Sequence, residues 1–230
     1  MIRHTSASEA VYGKLKEEII HLQLPPGGLV SELDTSAKYG VSRTPVRDAF
    51  KMLEREGLLT ITPHVGTFVS KINLDEISDI LYMRKVLEHA ILRELAASYD
   101  PAQDYRIKII LQRQKELLDS NADKVEIGRE FIKLDNEFHM TLYDLAGKAN
   151  VARLFYSLNS QYERFRTFIN FKSIDELKVL YGEHEAIWDA ITKGAVDEVE
   201  ERITHHIYNG FNANIGVVCE HPEYFLTSNS

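Results

Sequence analysis

The chain has 230 residues, 44 % of them apolar, with 12 glycines, 6 prolines, one cysteine and a net charge of −8. That length makes one large domain or two small ones, and that apolar share buries a core, which excludes wholesale disorder and a fibrous or low-complexity chain. No stretch approaches the roughly 20 apolar residues that span a bilayer, no apolar run follows the charges of residues 1–5, and Cys219 cannot pair internally, so we expect a cytoplasmic protein without a secretory signal or membrane partner.

Val11, Leu15, Ile19 and Leu22 recur at helical spacing and predict a helix from about Ser8 to Leu22, ended by Pro25-Pro26-Gly27-Gly28. Ser31, with Glu32 and Asp34 in the first turn, starts a short second helix that stops at Gly40. Ser42 caps a third, which tolerates Pro45 in its first turn, buries Val46, Ala49, Phe50 and Leu53, and stops at Gly57. Residues 58–62 and 67–70 are rich in β-branched side chains and flank Pro63-His64-Val65-Gly66, the pattern of a β-hairpin.

After Lys71 the periodicity is helical throughout. Asn73 with Glu76 caps a helix whose stripe is Ile77, Ile80, Arg84, Leu87 and Ile91. Asp100-Pro101 opens the next, with Ile107, Leu111, Gln114 and Leu118. Residues 123–146 carry Ile127, Phe131, Leu134, Phe138 and Leu142, and residues 150–171 carry Leu154, Leu158, Phe165 and Phe168. Ser173 with Glu176 caps a fifth helix, with Leu177, Leu180, His184, Ile187 and Ile191; a sixth, about 195–215, carries Val199, Ile203, His206 and Gly210. The fold class is therefore mainly α. A winged helix-turn-helix domain over 1–72 precedes an all-helical antiparallel bundle of about six helices over 73–220, and a polar, loosely held tail closes the chain over 221–230.

The third helix carries the first functional signal. Arg43, Arg47 and Lys51 lie four apart on the face opposite the apolar stripe, as a recognition helix requires. Arg43 and Arg47 suit guanine edges or phosphates, and spacing leaves both open. Thr44, at the helix start, suits a phosphate, and the tip from His64 to Gly66 suits the DNA backbone or minor groove. The ordinary alternative is a solvated face on which Arg43 and Arg47 pair with Asp48 or Glu54. The ordered set of capped short helix, glycine turn, basic helix and wing outweighs it. The acidity lies elsewhere: residues 1–72 carry a net +1 and residues 73–230 a net −9.

The second signal is metal-like. Asp135 and His139 share a helix face. Chance alone gives about 1.4 such acid–histidine pairs in this composition, and Glu17–His21 and Glu201–His205 are others. The company raises the signal, since His184 and His206 sit on apolar stripes and bundles build metal sites from inward side chains. Imidazoles with one carboxylate suit Zn²⁺, Ni²⁺, Fe²⁺ or Mn²⁺ and not Ca²⁺. His205, about 100° round the helix from His206, faces solvent. Arg84 is a cation on a buried stripe and needs an anion. Glu88, four residues on, is one partner; a ligand carboxylate is the other.

Tyr39-Gly40-Val41-Ser42-Arg43-Thr44-Pro45-Val46-Arg47-Asp48-Ala49 resembles the recognition segment of GntR-type bacterial transcription regulators. Glu56-Gly57-Leu58-Leu59 and Pro63-x-x-Gly66-x-Phe68-Val69 resemble that family's wing, and the helical remainder resembles its FadR-like branch, with the effector-binding FCD domain. The resemblance implies that Arg43 and Arg47 contact DNA with Thr44 and Gly66 assisting. It also implies that Asp135, His139, His184 and His206 hold one divalent transition metal per chain, and that Arg84 contacts a small carboxylate effector. The chain departs from the family at Leu33 and at His64-Val65, where many relatives carry basic residues, and at Gly147-Lys148, where Gly-Asn is usual. The expected protein is a homodimeric regulator of double-stranded operator DNA, not an enzyme. The alternatives are a metal-dependent helical enzyme and a regulator whose metal is purely structural. Against the enzyme, the chain has no His-Glu-x-x-His, no glycine-rich phosphate loop and no Gly-x-Ser-x-Gly.

Overall fold

The computed structural model describes residues 6–170 and 173–226. Residues 1–5, residue 171 at the end of the predicted fourth bundle helix, and residues 227–230 of the predicted tail lie outside the described residues. The described chain forms two compact units: residues up to 75 with 160–165 and from 218 onward, and residues 76–159 with 166–217.

In the first unit, helix α1 (Ala7–Ile20) starts at a capping box, in which Ser6 and Glu9 each bond the other's backbone N–H. Helix α2 (Glu32–Tyr39) is capped by Ser31, whose hydroxyl accepts from Leu33 and Asp34, and ends at Gly40, where the left-handed φ of +65° favours glycine. Helix α3 (Arg43–Arg55) follows after the three residues Gly40, Val41 and Ser42. Ser42 occupies its N-cap position with no side-chain bond, so the cap predicted there is positional only. Strands β1 (Leu59–Thr62) and β2 (Gly66–Val69) pair antiparallel in the register Leu59–Val69, Thr62–Gly66. Gly66 has φ +154°, and a Cβ there would stand 2.9 Å from Leu29 Cδ1, so the wing turn admits no larger residue without displacing Leu29. One core unites these elements: Val11, Leu15 and Ile19 of α1, Val46, Phe50 and Leu53 of α3, and Leu59 and Val69 of the hairpin. Each such side chain contributes about 1.5–3 kcal/mol by leaving water.

The end of the chain differs from expectation. Strand β3 (Ile72–Asn73) pairs in parallel with β4 (Phe225–Leu226), and Phe225 is buried against Phe165. The polar tail is therefore anchored as far as Leu226, because one aromatic residue within it finds a core.

The second unit is helical. Asn73 Oδ1 accepts from the backbone N–H of Asp75 at the start of α4 (Leu74–Ala97). Asp100 caps a short 3-10 turn, and α5 (Asp104–Leu118), α6 (Lys124–Leu145), α7 (Ala149–Ser157), α8 (Ser160–Asn170), α9 (Ile174–Thr192) and α10 (Val196–Glu220) follow. The single helix expected over 150–171 is two, broken at Leu158-Asn159, where Ser157, Asn159 and Ser160 are cap formers that compete with helical bonding. Helices α5, α6 and α9 meet around Leu118, Ile127, Phe131 and Leu177. A further cluster joins Ile91 of α4, Tyr143 of α6 and Ala152 of α7, with Leu87, Val151 and Tyr156 packed against it.

Candidate functional site

Arg43, Thr44, Arg47 and Lys51 are all exposed on α3, and Val46, Ala49, Phe50 and Leu53 are all buried. The helix thus shows one basic face outward and fixes the opposite face in the core. Arg47 does not pair with Asp48 or Glu54. Its Nε donates to both carboxylate oxygens of Glu32 on α2, at 2.9 and 3.1 Å, in a pair that remains largely solvated. Among the described residues Arg43 and Lys51 have no ion-pair partner. His64 at the wing tip is exposed with φ +63°.

Asp135 and His139 project from one face of α6, His184 from α9 and His206 from α10. All four are at least 96 % buried, and one ligand atom from each lies within 4.8 Å of the others. Burial of these polar groups costs free energy unless each is satisfied, and an outer ring of partners meets part of that cost. His206 Nδ1 donates to Glu183 Oε2 at 2.8 Å, and His184 Nδ1 donates to Gln114 Oε1 at 3.0 Å. His139 Nδ1 lies 3.0 Å from Glu88 Oε2. Protons on Nδ1 of His184 and His206 leave their Nε2 lone pairs bare, and these converge with His139 and Asp135. His139 Nε2 is 3.1 Å from His206 Nε2, and His184 Nε2 is 3.3 Å from Asp135 Oδ1 without a hydrogen bond. The His139–His206 contact is a hydrogen bond when His139 carries its proton on Nε2, and a cation shared by the two nitrogens would take that proton's place. Adjacent donors bonded to an ion at about 2.0–2.2 Å stand about 3.0–3.4 Å apart, as the His139–His206 and His184–Asp135 pairs do, and the chemistry of the donor set suits a divalent transition metal.

Residues 7–69 match the bacterial regulatory proteins of the gntR family, and residues 79–209 match the FCD domain. The chain belongs to the GntR family of transcription regulators with an FCD domain. It is 31 % identical over 219 residues to an uncharacterized HTH-type transcriptional regulator in an unstable DNA locus of Streptomyces ambofaciens, covering 94 % of this chain and 89 % of that protein. It is 28 % identical to the HTH-type transcriptional repressor RspR of Escherichia coli K12, covering 87 % and 85 %. A putative GntR transcriptional regulator of Rhodococcus sp. RHA1 has the same fold, with a TM-score of 0.68 at 22 % identity over 91 % of this chain and 97 % of that one. The GntR regulator is thus a DNA-binding helix-turn-helix protein and not an enzyme, and among its described residues no helix is long and apolar enough to cross a membrane.

The electrostatics of this regulator's buried cluster favour uncharged imidazoles at His139 and His184. Burial, then the Arg84 charge, brings His139 down from the usual 6.5 to about 3. Burial outweighs the help of Asp135 and brings His184 down to about 4. The carboxylates stay ionised although burial opposes it. Arg84 and His139 hold Glu88 at about 2, and Arg166 and the histidines hold Asp135 well below the usual carboxylate range. Neutral nitrogens at His139 and His184 beside the ionised Asp135 are ready to ligate a cation.

Arg84 Nε donates to Glu88 Oε1 at 2.8 Å, and both residues are buried, so Glu88 links the arginine to His139. Arg166 of α8 reaches Asp135 Oδ2 at 2.6 Å and Asn136 Oδ1 at 2.7 Å, and so orients the carboxylate. Arg164, by contrast, serves the first unit, where it bonds Gln161 and the Ser70 carbonyl. His205 is exposed and only brushes Glu183, at 3.3 Å. Sequence reasoning missed the outer ring of Glu88, Gln114 and Glu183 as histidine partners. One signal was present, since Gln114 is a lone amide on an otherwise apolar stripe and a buried amide implies a polar neighbour.

Proposed function

We propose that this GntR regulator binds an inverted-repeat operator as a cytoplasmic homodimer and is switched by a small carboxylate held at one divalent transition metal per chain. Asp135, His139, His184 and His206 would be the ligands, with Zn²⁺, Ni²⁺, Fe²⁺ and Mn²⁺ all suited to them. When bound, such an ion supplies Lewis-acid positions for a carboxylate oxygen. The observation that carries the reading is the hydrogen bonding of His184 and His206 through Nδ1 to outer partners, which turns their Nε2 lone pairs toward His139 and Asp135.

The chain's own residues do the rest. Gln114 and Glu183 hold the tautomers of His184 and His206, Glu88 lies beside His139, Arg166 orients Asp135, and Arg84 contributes the cation that receives the acid. On the first unit, Arg43, Thr44, Arg47, Lys51 and the Gly66 turn form the DNA face. One winged domain buries only about 600–1,000 Å² on DNA, and a two-fold protein reads two half-sites, which supports the dimer. The acid shifts operator affinity only by its differential affinity for two arrangements of the dimer, typically about 1–3 kcal/mol.

Fluorescence anisotropy on an inverted-repeat operator, with metal-loaded and chelator-treated protein titrated with organic acids, tests the switch. We expect the metal-loaded protein alone to respond. Because Arg84 neutralises buried Glu88, Arg84→Ala costs about 3–5 kcal/mol of stability, so the informative variant is Arg84→Lys, which keeps the charge and should blunt the response. An equal response with and without metal overturns the reading.

A further inference from the structure

The wing carries apolar side chains that the free protein leaves in water. Leu29 and Val65 are 67 % and 68 % exposed, more than any other large apolar side chain described in the first unit. Leu29 is not on a loose loop. The Gly27 N–H donates to the Val69 carbonyl, the Val69 N–H to the Gly28 carbonyl and the Val30 N–H to the Thr67 carbonyl, each at 2.8 Å. Residues 27–30 thus run antiparallel along β2, with Leu29 opposite Phe68. Leu29 Cδ1 reaches Gly66, where the missing Cβ leaves it room, and Val65 is the next residue of the turn. Residues 24–31 and 57–70 contain no Asp, Glu, Lys or Arg. This edge therefore brings no charge to neutralise phosphates, as Arg43, Arg47 and Lys51 do on α3. It nevertheless adjoins the basic face, because Leu29 lies three residues before Glu32, which holds Arg47. A rigid, uncharged apolar edge beside a cationic helix fits the sugar and base surface inside a groove and not the phosphates that border it.

We propose that Leu29, with Val65 beside it, is a wedge that enters the minor groove of the operator, partly unstacks one base step in each half-site and bends the duplex there. The inference rests on the DNA face described above and adds what the wing contributes to it, which is a reading of DNA shape and not of charge. An inserted apolar side chain bends a duplex by about 20–90°. Pyrimidine–purine steps such as TA and CA unstack most easily, so the wedge selects sequence at a position where it makes no base-specific hydrogen bond. The cost of unstacking is offset because the leucine side chain leaves water on insertion. Gly66 then has a use beyond the turn, since any larger residue would push Leu29 off the wing edge.

The probe is a duplex selected by the wild-type protein from a randomised inverted-repeat library, with a donor and an acceptor dye at its ends. We expect binding to raise energy transfer between the ends, as a bend does, and 2-aminopurine placed along each half-site to brighten at one step. Leu29→Ala should remove most of both signals. It should also weaken binding at least about fourfold, the burial of one methylene, while the slope of log affinity against log salt stays as in the wild type, because an apolar contact releases no counterion. Lys51→Ala should instead lower that slope by about 1. Leu29→Met, which keeps a long apolar side chain, should keep the bend. Leu29 is exposed, so neither of its variants should lower the Tm of the free protein. A straight duplex with the wild type overturns the proposal, as does wild-type bending or affinity in Leu29→Ala. So does a shallower salt slope or a drop of several degrees in Tm in that variant, which would make the leucine a support for backbone contacts or for the hairpin. Arg43→Ala and Arg47→Ala are measured on the same duplex, so the DNA face can stand while the wedge falls.

Discussion

Replacing Glu183 by glutamine isolates the outer ring from the ligands it holds. Glu183 Oε2 accepts from His206 Nδ1 at 2.8 Å, and Oε1 accepts from Asn209 Nδ2 at 2.6 Å. Glutamine keeps the shape but has one acceptor oxygen for two donors. If its amide faces His206, it favours the tautomer that carries the proton on Nε2, where a metal needs the lone pair. If it turns round, Asn209 loses its acceptor instead. Outer-ring substitutions of this kind cost about 10–100-fold in metal affinity, or about 1.4–2.7 kcal/mol. Competition for Zn²⁺ against a chromophoric chelator, at fixed pH on tag-free protein, measures the loss directly. His205→Ala is the matched control: its side chain is 67 % exposed and only approaches Glu183, at 3.3 Å, so affinity should stay within about twofold of wild type. Wild-type affinity in Glu183→Gln, or an equal loss in His205→Ala, would refute the tethering argument.

Arg43→Ala and Arg47→Ala should each weaken operator binding by about 1–3 kcal/mol if they meet bases, whereas Lys51→Ala should weaken all sequences alike and lower the salt slope by about 1, both read by anisotropy at several salt concentrations. Arg47 must leave Glu32 to reach DNA, so Glu32→Ala should tighten operator binding modestly; weaker binding would show that the pair positions α3 instead. The chelator-stripped protein should lose stability on acidification. The folded His139 and His184 values, about 3 and about 4, lie below the usual 6.5, so the unfolded chain takes up protons first. Their stabilising contribution is complete above about pH 6.5 and is lost as pH falls toward 4, at up to about 1.4 kcal/mol per pH unit for each histidine. Thermal melts between pH 7.5 and 4.5 check this, and a flat profile would contradict it.

The winged domain was legible in the sequence because its determinants are local: the caps at Ser31, the glycine at Gly40, and the four-residue rows that put Val46 and Phe50 inside and Arg43 and Arg47 outside. The four buried Asp and His residues were legible for the same reason, since each interrupts an apolar stripe and so must point inward. What escaped depends on neighbours distant in sequence. Arg47 pairs with Glu32 on another helix, and no spacing rule links positions so separated. Gln114 and Glu183 meet their histidines only through the packing of α5, α9 and α10. Phe225 reads as part of a polar tail until a strand at Ile72 gives it a partner. The break at Leu158-Asn159 was missed because apolar residues stay in helical phase across it, and only the serines and asparagine mark the gap.

Elemental analysis of tag-free protein, incubated with Zn²⁺, Ni²⁺ or Mn²⁺ and then freed of excess ion by gel filtration, tests the buried metal centre most directly. The account predicts about one ion per chain in the wild type for at least one of these metals, and loss of that ion in His184→Ala, because metal affinity needs the converging lone pairs. A wild-type protein that retains none of the three, or a His184→Ala variant that retains the full complement, would contradict it.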